Sequence, residues 1–153
     1  ANVVSIRNTT GGNGNVGILF STQDHSGGRE KAAIYHQETH GSAHYGGDFV
    51  FCLNSATGSA TQVSISDEKL RLTRGGHLLP ASNNAHDLGS SSKRWRVIYT
   101  NDLELSNEAK KDEGGNDVDG TWGNYTIQEG EEDLFIINNR SGKKYKFNLT
   151  EVV

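Results

Sequence analysis

The sequence predicts an all-β protein. Three observations carry that expectation: 19 Gly against one Pro and no Met in 153 residues, abundant Asn, Ser and Thr, and short apolar runs separated by glycine-bearing breaks. Such a composition suits short strands joined by tight turns and suits long helices badly, because Gly and the short polar residues are weak helix formers. Only 33% of the residues are hydrophobic and 22% are charged. A monomer therefore has little apolar surface to set against a backbone ordering cost of roughly 1 to 2 kcal/mol per residue. Association with further copies is the expected remedy.

Strands are expected at residues 3–6, 17–20, 31–37, 48–53, 61–66 and 69–73, each an apolar or alternating run between turn signals. The breaks Gly11-Gly12-Asn13-Gly14, Ser26-Gly27-Gly28, Gly46-Gly47 and Gly75-Gly76 offer the positive-φ positions that turns require. Val63 and Ile65, the turn Ser66-Asp67-Glu68, and then Leu70 and Leu72 read as a half-buried hairpin. From Leu78 onward Pro80, Asn83-Asn84 and Asp87-Leu88-Gly89 break the pattern. The run Ser90-Ser91-Ser92-Lys93-Arg94-Trp95-Arg96 suits one serine-capped turn of helix.

Alternation resumes at Leu103 and Leu105, a charged, Gly-bearing loop fills residues 107–120, and alternating segments follow at 122–129, 133–138 and 143–149. Asn139-Arg140-Ser141-Gly142 is a good hairpin turn with Gly at the left-handed position. Tyr145, Phe147 and Leu149 share one face, whereas Lys144 and Lys146 share the other with Asn148, opposite Glu129, Glu131, Glu132 and Asp133. The expected organisation is a β stem (1–74), a connector with a short helical turn (75–100) and a small β-meander cap (101–153). Three strands alone are marginal, so packing the aromatic face on copies of itself is the natural way to bury it.

The formal net charge of −4, with both signs interspersed, gives no reason to expect a nucleic-acid partner. The first residues carry neither a basic nor an apolar leader pattern, and no apolar stretch approaches the roughly 18 residues that cross a bilayer. No membrane insertion is expected. The single cysteine, Cys52, lies in the apolar run Phe49-Val50-Phe51-Cys52-Leu53 and reads as a buried, inert thiol suited to assembly in a reducing compartment.

Gly12-Asn13-Gly14-Asn15-Val16-Gly17 satisfies G-x-G-x-x-G, but a dinucleotide site needs a helix after the glycines, and a strand is expected here. His36, His40 and His44 recur every fourth residue; the neighbouring glycines speak against the helix that would place them on one face. Around a threefold axis a single histidine becomes three ligands, which makes these three weak axial candidates, although no metal and no cofactor is assigned. Asp24 with His25, and His86 with Asp87, lack an identifiable nucleophile. No catalytic residue is expected.

The run Gly17-Ile18-Leu19-Phe20-Ser21-Thr22, then Gly28-Arg29-Glu30-Lys31-Ala32-Ala33-Ile34-Tyr35, then Asp48-Phe49-Val50-Phe51 resembles the repeated β texture of bacteriophage tail fibres and tailspikes. The segment Asp87-Leu88-Gly89-Ser90-Ser91-Ser92-Lys93-Arg94-Trp95-Arg96-Val97-Ile98-Tyr99 closely resembles the D-L-G-S-S-S-x-R-W-x-x-I-Y signature preceding the terminal domain in many such fibres. Residues 120–152 are similar to a short all-β C-terminal cap. Many relatives continue into a self-cleaving, endosialidase-type intramolecular chaperone. The nearest cleavage-like string, Ser66-Asp67-Glu68-Lys69-Leu70, lies upstream of the connector with no long helical segment after it.

The resemblance implies an elongated, intertwined homotrimer on the virion, assembled in the host cytoplasm with other tail or fibre proteins and reaching a host cell-surface receptor. A surface glycan is the expected receptor, with a host protein as the other option; a purely structural trimerisation cap and a glycan-cleaving tailspike are the rival readings. Trp122 and Tyr125, beside a polar loop at the expected tip, are the candidate receptor-binding residues. Trp95, Ile98, Tyr99, Leu103, Leu105, Phe135, Tyr145 and Phe147 are the candidate trimer-interface residues.

Overall fold

The computed structural model describes residues 5, 14–21, 30–39, 46–56 and 61–152. The fold is all-β: two antiparallel sheets, with no α-helix among the described residues. The chain divides into two units, Ala1–Asp87 and Leu88–Val153. Of the expected strand at 3–6 the structure describes Ser5 alone.

The first unit holds a five-stranded sheet in the order β1 (Asn15–Phe20), β2 (Ala32–Glu38), β3 (Gly47–Leu53), β4 (Glu68–Leu72) and β5 (Leu78–Pro80). β1 starts directly after Gly14, so the G-x-G-x-x-G string leads into a strand. In β3 the burial alternates residue by residue, with Asp48, Val50 and Cys52 inside and Phe49, Phe51 and Leu53 outside, as the two-residue repeat of a pleated strand dictates. Val50 is fully buried, and with Ala33, Cys52 and Val63 it forms the core against which Tyr35 and Ile65 pack. Burial pushes the Cys52 thiol above its ordinary pKa, in keeping with an unreactive group.

Val63 reaches this core in a way that corrects the expected hairpin. Residues 61–64 form no strand, and Ile65–Asp67 is a 3-10 turn. The segment crosses the covered side of the sheet, with the Val63 amide donating to the Glu30 carbonyl at 2.7 Å and the Tyr35 hydroxyl to the Val63 carbonyl at 3.3 Å. β4 pairs instead with β3 and β5. The β4 to β5 turn uses Gly76 at φ +85, and its ends are joined by the Thr73 amide donating to the His77 carbonyl. Leu78–Pro80, expected within the connector, is thus an edge strand, where a proline is tolerated.

The opposite side of the sheet is open. Register aligns Ile18, Ile34, Phe51 and Leu70 in one row, and Val16, His36, Phe49, Leu72 and Leu78 in the next. Paired residues share a face, so these rows make one apolar surface, on which Phe49 is 52% and Ile18 49% exposed.

The second unit begins with residues 88–102, which contain no helix or strand and are exposed throughout. The expected serine-capped helical turn is a reverse turn closed by reciprocal backbone bonds between Ser90 and Lys93. A four-stranded meander follows: β6 (Leu103–Ser106), β7 (Asn124–Glu129), β8 (Leu134–Asn138) and β9 (Lys144–Lys146). The expected three-strand cap gains β6 as a fourth member. Gly142 at φ +71 serves the β8 to β9 hairpin, and of the expected acidic partners Asp133 meets Lys146 at 2.7 Å. No described residue of this unit is buried.

Candidate functional site

The loop of residues 107–123 decides where Trp122 sits, and it is closed by its own amide side chains. Asn107 accepts the Gly123 amide at 2.7 Å and donates to the Thr121 carbonyl. Asn116 accepts the amides of Val118 and Asp119 and donates to the Asp119 carboxylate and the Thr121 carbonyl, both at 2.7 Å. The Thr121 hydroxyl and amide donate to the same carboxylate and hold its pKa below the ordinary aspartate value, helped by Asn116. Gly114, Gly115 and Gly120 take the positive φ values that let the loop fold back.

Trp122 leaves this loop just before β7, and Arg140 comes from the β8 to β9 turn. The Arg140 guanidinium lies 3.8 Å from the centroid of the Trp122 ring and donates through Nη1 to the Trp122 carbonyl at 2.6 Å. Cation–π stacking plus an anchored edge fixes a side chain that would otherwise be free. Tyr125 stands on β7 opposite Leu105 and Asn138, and the Asn138 amide donates to its hydroxyl at 3.1 Å. Trp122, Tyr125, Asn138, Arg140 and Ser141 border an open depression of about 430 Å³. An adjoining depression shares Trp122 and Tyr125 and extends to Asn116 and Asp119.

The two candidate receptor-binding residues are therefore brought together. Arg140, Asn138 and Ser141 were not singled out from the sequence as site residues; the one signal available was that a hairpin turn holding an arginine follows an aromatic strand.

The candidate interface residues divide. Leu103, Leu105 and Tyr145 share a face with Tyr125, Ile127 and Ile136, and Phe147, whose amide donates to the Leu134 carbonyl, continues it. Phe135 lies on the other face, paired with Gln128 and Lys146, its ring against Gly130. Trp95, Ile98 and Tyr99 lie in the strandless segment and are exposed, Tyr99 at 89%.

His36 sits mid-strand in β2 with its ring edge-on to Phe49, centroids 5.9 Å apart. His40 and His44 lie outside the described residues. Among the described residues no cluster of three His, Cys, Asp or Glu could hold a metal ion, and no helix is long and apolar enough to cross a membrane. Comparison with protein-family models, curated proteins and solved structures finds no match.

Proposed function

We propose that the chain is a structural and attachment segment of a bacteriophage tail fibre, working on the virion as a homotrimer whose Trp122 and Tyr125 region binds a host cell-surface glycan without turnover. The observation that carries the assembly is the disproportion between core and open apolar surface. Ala33, Val50, Cys52 and Val63 are the buried hydrophobics among the described residues, whereas Ile18, Phe20, Phe49, Leu53, Trp95, Ile98, Tyr99 and Leu103 are all exposed. Ile18, Phe20, Phe49 and Leu53 share the open face of the first sheet, and a contiguous apolar surface of that kind marks an interaction face; copies of the chain are the partner that the tail-fibre resemblance of residues 87–99 favours.

The attachment role rests on the anchored aromatic pair beside a polar loop, since aromatic rings stack on sugar rings and hydroxyl and guanidinium groups orient them. Three identical sites would also raise weak contacts to useful avidity.

Light scattering coupled with an unboiled denaturing gel tests the assembly. A mass near three times the 16.6 kDa chain is expected, and a compact monomer would overturn the architecture. A glycan array tests attachment: Trp122→Ala is expected to lose binding at unchanged mass, while a native trimer that binds no glycan would leave a purely structural cap. Loss of polysaccharide viscosity would reveal a glycan-cleaving spike.

A further inference from the structure

The hydrogen-bond inventory of the depression beside Trp122 is lopsided. Three of its acceptors are already engaged: the Trp122 carbonyl by Arg140, the Asn138 side-chain oxygen by the amides of Arg140 and Ser141, and the Gly123 carbonyl by the Asn107 amide. Its donors are not. Arg140 uses Nη1 alone, so Nη2 and Nε remain, and the hydroxyl hydrogens of Tyr125 and Ser141 have no acceptor among the described residues. Nor does any carboxylate of the described residues pair with Arg140. Two acidic side chains border the adjoining depression, Glu104 and Asp119, and Asp119 is already engaged by Asn116 and Thr121.

A guanidinium immobilised on an indole face, with an unpaired edge and hydroxyl donors nearby, matches an anionic oxygen pair rather than a neutral polyol. A neutral sugar would meet these donors through uncharged hydroxyl oxygens only, without the charge assistance a carboxylate gives to the free edge of Arg140. Arginine also holds a carboxylate by two parallel bonds where lysine offers a point charge. We infer that this depression takes an acidic sugar, its carboxylate on the free edge of Arg140 and its ring against the Trp122 and Tyr125 side chains. This inference rests on the glycan-binding reading above and names the chemical class of the ligand.

The test uses the full chain as it assembles, on an array of matched pairs: oligosaccharides bearing a uronic or sialic acid, and the same oligosaccharides with each carboxyl reduced to the alcohol. The acidic member is expected to bind about tenfold or more tightly than its reduced partner, as a charge-assisted pair of bonds implies, with the advantage shrinking at high salt. Arg140→Gln should erase the difference while mass stays unchanged, and Arg140→Lys should restore part of it. Equal binding of both members would overturn the acidic-sugar assignment and leave the glycan site standing. Binding of neither would overturn both readings. Preference for a glutamate-rich peptide over every acidic glycan would also overturn the assignment.

Discussion

Arg71 on β4 donates through Nη1 to Oδ2 of Asp48 on β3 at 2.7 Å. The same guanidinium reaches Glu68 through Nε and Nη2 and Gln37 on β2, while the Arg74 amide donates to Oδ1 of Asp48. One fork thus ties three neighbouring strands on the covered side of the sheet. Arg71→Met should destabilise the first unit by about 2 kcal/mol, because it strips partners from a buried carboxylate. Arg71→Lys should recover only part, since an ammonium group cannot span both carboxylates. Denaturant unfolding of the two variants against the parent chain measures this.

Acid should destabilise the first unit. The Asp48 pKa is lowered by the hydrogen bond from Arg71 and then by the Arg74 amide; that of Asp67 is lowered by the Asn54 side chain and then by the Ser64 amide. A depressed pKa means that the unfolded chain binds the proton more tightly, so the stabilisation is full above about pH 4 and is lost as pH falls through the folded values. The thermal midpoint should therefore drop on acidification from about pH 6 to about pH 3. Asp48→Asn should flatten the drop, and an equal drop in that variant would remove Asp48 from the explanation.

Adjacent residues of β3 should respond in opposite ways. Val50 is fully buried, so Val50→Ala should cost about 2 kcal/mol of folding stability through lost contacts and a cavity. Phe49 lies on the open face, so Phe49→Ser should leave the fold of a single chain nearly intact and weaken association. Light scattering over a dilution series would separate the two, and an unaltered oligomer in Phe49→Ser would take this face out of the interface.

Two glycines with similar backbone angles should differ in tolerance. At Gly142, φ is +71 and nothing lies within 4 Å of an added Cβ, so Gly142→Ala should cost about 1 kcal/mol of backbone strain alone. At Gly115, φ is +72 and the Cβ would meet the Gly120 and Thr121 carbonyl oxygens at 2.5 Å. Gly115→Ala should therefore open the loop that delivers Trp122 to β7. A shift of the Trp122 indole resonance in Gly115→Ala, absent in Gly142→Ala, is the expected readout.

Local signals in the chain were sufficient for the all-β class, the positions of β1 to β4 and the strands of the cap, because period-two alternation and glycine breaks act over a few residues. The pairing of Trp122 with Tyr125 was legible for the same reason, the one lying just before the start of β7 and the other within it. What only the tertiary structure decided was partnership. Alternation at Val63 and Ile65 describes an extended chain equally well whether it pairs as a strand or crosses over a sheet, and the Glu30 carbonyl some thirty residues earlier settles which. Likewise Phe135 goes to the face opposite Tyr145 through the register of β8 with β9, and Arg140 reaches Trp122 through a turn eighteen residues away. Register and long-range hydrogen bonds place those groups, and neither leaves a mark in the local pattern of residues.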